Sequence, residues 1–529
     1  MRWLLLSLLA LVLVAPARAL TPAEARSLAS GEAESRIAAL NAVLVKNGSG
    51  SADDKTVALI QALSDDAVKT TDSAVFVMKE GKGYDPVSGA EKPVPETAED
   101  VVNNNEMRGE LDAALASIKL FAPDDKLRAE AVKTLAGGEI SEAKLPLIEK
   151  AFAKESVPAI KEAIGHVRSA MLLGSADKAK RLDAANSLGA TGTPATKTLL
   201  LDRLKVETEP DVKSAIEVAL RTIEARLAWG ERLGVIFTGI SLGSILLLVA
   251  LGLAITYGLM GVINMAHGEL MMIGAYATYV IQNLFRAYLP GAFEWYVLLA
   301  IPASFLAAAL VGAVLERSVI RWLYGRPLET LLATWGISLV LQQAVRTLFG
   351  AQNVPVENPA WLSGGVDVMS NLTLPFNRLA IIAFAVLVLA GVSALIARTR
   401  LGLFVRGVTQ NRKMAACMGV NTARIDTYAF ALGSGIAGLA GCALSQVGNV
   451  GPDLGQGYIV DSFMVVVLGG VGQLAGTVYA ALGLGVLNKL LEGWQGAVLA
   501  KIMVLVFIVV FIQKRPQGIF AMKGRSAEA

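Results

Sequence analysis

Along this chain the hydrophobic pattern changes character near residue 233. Residues 20–230 mix charged positions with Ala-rich apolar ones, the pattern of soluble amphipathic helices. Residues 233–512 are mostly apolar and broken only by short loops. A bilayer core of about 30 Å takes roughly 20 apolar residues per helical crossing. Only closed helical or barrel backbones satisfy their polar groups inside it. The pattern therefore predicts crossings at 233–257, 268–285, 295–315, 330–349, 379–397, 427–447 and 498–513. The expected fold is all-α: a polytopic transmembrane helix bundle behind an N-terminal extracytoplasmic helical-repeat domain.

The Gly-rich tract 459–492 fits no single span. Asp461–Leu468 followed by Gly469-Gly470-Val471-Gly472 is too short for a full crossing. The tract reads either as two short crossings or as a re-entrant pair, since broken helices occur at membrane depth where they line protein or a water-filled path. The total is nine or seven crossings, with nine favoured.

The chain starts with Arg2, an apolar run over 3–14 and then Ala15-Pro16-Ala17-Arg18-Ala19. A short basic region, an apolar run too short to span comfortably and an A-x-A site predict a secretory signal removed after Ala19. An uncleaved anchor is the alternative. Either places residues 20–230 outside the cytoplasm. The expected divisions are 1–19 signal, 20–230 helical-repeat domain, 231–522 membrane domain and 523–529 tail.

Within 20–230 the sequence repeats itself. The stretch beginning Glu155-Ser156-Val157-Pro158 matches that beginning Glu207-Thr208-Glu209-Pro210 at an offset of 52, and Leu127-Arg128-Ala129-Glu130-Ala131 matches Lys180-Arg181-Leu182-Asp183-Ala184 at 53. Two separate matches at nearly one offset predict repeated helical hairpins of the HEAT sort. Stacked hairpins expose one binding face, so the domain is either a platform or a docking surface. The stretch 84–99, with Pro86, Pro93 and Pro95, reads as a loop, and His166 as a helix-face residue without special chemistry.

Charge placement sets the orientation. Residues 398–424 hold Arg398, Arg400, Arg406, Arg412, Lys413 and Arg424 and no acidic residue. The stretch 316–329 adds Arg317, Arg321 and Arg326, whereas neither 351–377 nor 448–461 has any Lys or Arg. The positive-inside rule puts 316–329 and 398–424 in the cytoplasm, as the signal peptide requires. A net charge of +3 makes no bulk case for nucleic acid. The two cysteines, Cys417 and Cys442, suit no metal site and read as packing residues.

Two segments carry candidate chemistry. Asn264, His267 and Glu269 fall within six residues at a membrane boundary. Such groups are costly there unless they line a path, pair with each other, or sit solvated at headgroup level. The basic segment 398–424 contains an Ala/Met run between basic flanks. It predicts a short amphipathic helix that docks in a partner's groove or lies on the lipid surface. A G-x-G-x-x-G match at 433–438 sits inside an apolar crossing with no strand before it, so it reads as close helix packing. No phosphate-loop motif G-x-x-x-x-G-K-[ST] occurs in the chain.

Five separated motifs then give a resemblance. Ile255-Thr256-Tyr257-Gly258 running through 261–269 to Gly274-Ala275-Tyr276 is similar to the permease subunits of branched-chain amino acid ABC importers. So are Glu316-Arg317 with Gly325-Arg326-Pro327-Leu328, and Thr399-Arg400-Leu401-Gly402 with Met418-Gly419-Val420-Asn421. Val467-Leu468-Gly469-Gly470-Val471-Gly472 and Lys514-Arg515-Pro516-Gln517-Gly518 complete the set, over about 233–522. Met265 stands where the family usually has Phe before Ala-His, with no functional consequence expected. The N-terminal extension resembles that of long urea ABC importer permeases.

The resemblance implies a bacterial inner-membrane permease for urea or short amides, with branched-chain or other small amino acids as the alternative. It implies a second permease subunit, two ABC ATPase subunits inside, a substrate-binding protein outside and membrane lipid as partners, with no nucleic acid, metal or cofactor. ATP hydrolysis belongs to the partners, and the chain is not itself an enzyme. Asn264, His267 and Glu269 are the translocation-path candidates; Arg400, Arg406, Arg412, Met418, Gly419 and Asn421 match the ATPase-coupling segment. From other classes, a membrane-anchored sensor would need a cytoplasmic output domain, and a passive channel would transport without ATP.

Overall fold

The structure, a computed structural model, describes residues 20–46, 53–71, 73–137 and 144–520. The expected signal segment and the 523–529 tail lie outside the described residues. Two compact units divide between Ala228 and Trp229.

The first unit opens with helices α1 (Pro22–Ala29), α2 (Ala33–Lys46) and α3 (Asp54–Ser64). Thr21 and Glu24 form a reciprocal capping box at the start of α1. Four short antiparallel strands follow: β1 (Val68–Thr70), β2 (Val75–Lys79), β3 (Lys82–Tyr84) and β4 (Glu99–Asp100), in the order β3-β2-β1-β4. Val68 pairs with Val77 and Val77 with Tyr84. These strands correct the all-α expectation. Their β-branched runs are only a few residues long, so the surrounding Ala-rich helical pattern hides them, and they hold because Val68, Val75 and Val77 bury against Leu59, Leu63 and Leu111. Between β3 and β4 the chain is the expected loop.

Helices α4 (Asn105–Lys119), α5 (Asp125–Gly137), α6 (Leu145–Lys154), α7 (Pro158–Leu172), α8 (Lys178–Thr191) and α9 (Pro194–Val206) come next, and α10 begins at Pro210. Pro158, Pro194 and Pro210 each take a first helical position, where a missing N–H costs nothing. The two sequence matches coincide in space. Arg128 of α5 grips Glu155 at the end of α6 through Nε (2.8 Å) and Nη2 (3.2 Å), and its Nη1 donates to the carbonyls of Ala122 and Pro123. Arg181 of α8 grips Glu207 at the end of α9 at 2.9 and 3.2 Å, and its Nη1 donates to Ser175 and Ala176. Each glutamate also accepts the two backbone N–H groups that follow it. Burial alone would raise the Glu207 carboxyl; hydrogen bonds from Arg203 and Arg181 outweigh it and hold the group at about 2. The Arg128 hydrogen bond lowers Glu155 in the same way.

The second unit holds the apolar helices. They are α10 (Pro210–Met260), α11 (His267–Tyr288), α12 (Tyr296–Ser318), α13 (Pro327–Phe349) and α14 (Phe376–Arg398). Two short helices, α15 (Arg400–Gln410) and α16 (Arg412–Cys417), lead into α17 (Thr422–Ser445), followed by α18 (Leu454–Gly469), α19 (Leu474–Gln495) and α20 (Ala497–Lys514). Among the described residues, six helices are long and apolar enough to cross a membrane: α10, α12, α14, α17, α19 and α20. Helices α11 and α13 match expected crossings in length but carry more polar residues. The 459–492 tract is two helices, α18 and α19, and α18 is short. A hairpin of β5 (Gly365–Met369) and β6 (Leu372–Pro375) precedes α14.

Helix α17 is the centre of this unit: its apolar window is 83% buried, against 17% for α20. The 433–438 glycines act there as packing, as expected. A Cβ on Gly274 of α11 would stand 2.2 Å from the carbonyl oxygen of Gly438, so the two backbones touch where no side chain fits. Leu246, Val249, Leu270, Phe430, Ala437 and Val465 form the surrounding core. Cys442 is buried as expected, but Cys417 is exposed, because it ends the short α16 on the outward side.

Candidate functional site

The chain between α10 and α11 is six residues long, with Val262, Asn264 and Ala266 buried. Asn264 Oδ1 accepts the Ala266 N–H at 3.0 Å, and the Asn264 carbonyl accepts from His267, so Asn264 forms the turn that starts α11. His267 turns back against α10: its Nε2 lies 3.1 Å from the Val249 carbonyl, which takes an Nε2 proton, and its ring packs over Gly252. Glu269 faces the other way, toward α13. Its Oε1 accepts from Ser338 Oγ (2.9 Å) and Gln342 Nε2 (2.8 Å). Asn264, His267 and Glu269 are 1%, 0% and 1% exposed, so none is solvated at a surface in this conformation. The three side chains go to three different partners. Asn264 Nδ2, His267 Nδ1 and Glu269 Oε2 have no hydrogen-bond partner among the described residues.

Helix α13 shows a polarity reversed from that of a soluble helix. Thr330, Thr334, Ser338 and Gln342, spaced four apart on one face, are buried. Leu328, Leu332, Trp335 and Val340 on the other face are exposed, as a lipid-facing surface would be. Thr334 Oγ1 accepts the Met265 N–H at 3.1 Å and approaches the Ile263 carbonyl, so the polar face also holds the chain leading into α11. By hydropathy alone, 330–349 reads as a plain crossing. The four-residue spacing of Thr, Thr, Ser and Gln is the legible signal that its inner face is polar.

The basic segment is two helices rather than the one expected. Thr399 caps α15 and Asn411 caps α16, each by accepting a backbone N–H. Of the coupling candidates, Arg400, Arg406 and Met418 face outward, Met418 at 78% exposure. Gly419 has φ +83°, a left-handed turn that ends α16 and that other residues adopt under strain. Asn421 accepts the Arg424 N–H at 3.1 Å and caps α17. Arg412 is committed elsewhere: it pairs with Asp426, and its guanidinium lies 5.2 Å from the centre of the Tyr324 ring.

That pair belongs to a buried cluster that sequence reading missed. Glu316, at the end of α12 and fully buried, accepts from Tyr324 Oη (3.0 Å), Thr427 Oγ1 (2.6 Å) and the Arg321 guanidinium (3.3 Å). Glu316 and Arg321 were legible only as motif and loop charge, and Asp426 lies just past the segment counted as free of acids. Side-chain convergence from α12, α16 and α17 has no sequence period. Elsewhere, the chain just after the 514–518 motif meets the 467–472 motif: Ile519 N–H donates to the Leu468 carbonyl at 2.8 Å and Phe520 N–H to Gly469 at 3.3 Å.

The apolar helices and their buried polar contacts define a multi-pass helical membrane protein. Residues 235–512 match the family described as branched-chain amino acid transport system, permease component. The chain belongs to this family. It is 29% identical over 285 residues to the high-affinity branched-chain amino acid transport system permease protein BraD of Pseudomonas aeruginosa, covering 53% of this chain and 93% of that one. It is 28% identical over 293 residues to LivH of Escherichia coli K12, covering 54% and 93%. A probable LivH of Methanocaldococcus jannaschii is 24% identical over 296 residues, covering 52% and 88%. These relatives are transport permeases, not enzymes. No solved structure matches the chain.

Proposed function

We propose that this chain is a permease subunit of an ABC importer for urea or short amides, working beside a second permease subunit, two ATPase subunits and an extracytoplasmic binding protein. The observation that carries the importer reading is the family match over 235–512, which spans the apolar helices. The urea reading rests on the long N-terminal extension outside that match and on the character of the α13 face, where hydroxyl and amide groups suit a small neutral polar solute. Import of branched-chain or other small amino acids is the second reading, favoured by the names of the relatives.

In this reading the protein resides in the inner membrane with nine crossings, 20–230 outside and 398–424 inside. The exposed surface around Arg400, Arg406 and Met418 meets an ATPase groove. Asn264, His267 and Glu269 belong to the translocation half of the molecule, with Glu269 on the path side and His267 as packing. The first unit is a solenoid of the HEAT sort, supported by the duplicated Arg–Glu clasp. A groove of about 550 Å³ between its helices, lined by Leu135, His166, Leu188, Leu199 and Asp202, offers a docking surface for an extracytoplasmic partner. Uptake of labelled urea and labelled leucine by a deletion strain, with and without the chain, tests the assignment. Restored urea uptake supports it; restored leucine uptake alone moves the substrate to the second reading. ATP-independent uptake would indicate a channel.

A further inference from the structure

We propose that Glu269, Ser338, Gln342 and Tyr276 form a substrate-contact station on the α11–α13 seam that holds the solute through its N–H donors. The proposal rests on the permease reading above and adds the chemistry of one site to it.

Glu269 is the only one of the four that can carry charge at neutral pH, and its described partners, Ser338 and Gln342, are neutral. Both donate to the same oxygen, Oε1. The second oxygen, Oε2, is buried and has no partner among the described residues. Arg346, one turn beyond Gln342, does not supply the missing donor, because it pairs with Asp453. Tyr276 lies seven residues after Glu269 on the same face of α11, and its ring packs on Phe349 of α13 at 4.7 Å. The Tyr276 side chain is 2% exposed and its hydroxyl is also without a described partner. Two unmet polar groups therefore face the same seam.

Interhelical polar contacts in membranes are commonly adhesive. Here a carboxylate oxygen and a phenol hydroxyl remain unmet, which is costly in a dry interior. A bound solute that donates N–H to Oε2 would satisfy the carboxylate, and the Tyr276 hydroxyl, about two turns farther along α11, offers a second contact on the same seam. The inner face of α13 fits this use. Because Thr330, Thr334, Ser338 and Gln342 are polar, with Val345 beside Tyr276 the one apolar residue buried among them, this face can exchange its contacts with α11 for water or a polar solute more cheaply than an apolar face could. The chemistry required of the solute is an N–H donor. An amide –NH₂ and an α-ammonium both provide it.

The test uses intact host cells carrying the full chain with Ser338→Cys. Alkylation of residue 338 by N-ethylmaleimide is read by peptide mass spectrometry, with urea, leucine or neither in the medium. Gln410→Cys, exposed at the end of α15, is the comparison. The transported solute should slow alkylation at 338 severalfold and leave 410 unchanged. In parallel, Glu269→Gln keeps an acceptor without charge, and Glu269→Ala removes both. If the donor is an amide, Glu269→Gln retains urea uptake and Glu269→Ala loses it. If the donor is an ammonium, both variants lose leucine uptake. No alkylation at 338, alkylation indifferent to both solutes, or parental uptake in Glu269→Ala would overturn the station. A parent chain that moves neither solute would instead remove the permease reading, and the station with it.

Discussion

Arg412 reaches from the short helix α16 to the carboxylate of Asp426 in α17, a group with no exposed surface of its own. The arginine side chain keeps 42% of its surface exposed. The two partners are thus unequal: one can turn to water if the pair breaks, and the other cannot. Through Tyr324 and the Glu316 cluster, the same contact ties the basic segment to α12 and α17.

That inequality predicts an asymmetric mutant pair. Arg412→Ala strands a buried carboxylate and should cost about 1.5–3 kcal/mol, the range for hydrogen bonds to charged groups. Asp426→Asn leaves an arginine that can hydrate, and should cost less. The double variant should recover most of the Arg412→Ala loss. Thermal midpoints of the detergent-solubilised full chain check this; equal losses that add in the double variant would show that the pair does not couple.

The outward residues of the same segment predict a different outcome. Arg400→Glu with Arg406→Glu reverses charge at positions the structure leaves exposed, so membrane levels should stay near normal while uptake falls by an order of magnitude or more. Met418→Glu should behave alike. Arg412 is excluded from this set, since changing it disturbs packing. Normal uptake in both variants would remove the segment from ATPase coupling.

Orientation can be read with two exposed positions. Cysteine at Lys180 should react with an impermeant thiol reagent in intact cells, and cysteine at Gln410 only after permeabilisation. The opposite pattern would invert the topology and, with it, every assignment of an inner or outer partner.

The duplicated Arg–Glu clasp predicts acid sensitivity of the first unit. The Glu207 carboxyl is held at about 2 against an ordinary 4.5. A depressed folded value gives stability that is complete above the ordinary value and is lost as pH falls from there toward about 2. Glu207→Gln should therefore lower stability at neutral pH by roughly 1.5–3 kcal/mol and flatten its dependence below pH 4.5. Hydrogen exchange of residues 178–216 in the full chain at several pH values measures both. An unchanged acid slope in the variant would mean that other carboxylates govern it.

What the sequence determined alone follows from periodicity and composition. Every expected crossing coincides with a helix, because roughly 20 apolar residues admit little else in a bilayer. The matches at offsets of 52 and 53 were legible as a repeat; the Arg–Glu clasp in each copy was not, because it joins side chains 27 and 26 residues apart. The glycines at 433–438 were legible as packing because they lie inside an apolar crossing. The β1–β4 sheet escaped, since strands of a few residues carry almost no period against an Ala-rich background. Tertiary structure alone decided the rest. It sent Asn264, His267 and Glu269 to three separate partners, although they lie within six residues, because neighbouring positions on a helix point in different directions. It brought Glu316, Arg321, Tyr324, Arg412 and Asp426 together from segments about a hundred residues apart. Such clusters depend on how helices pack, and helix packing is set by the whole bundle rather than by any window of the chain.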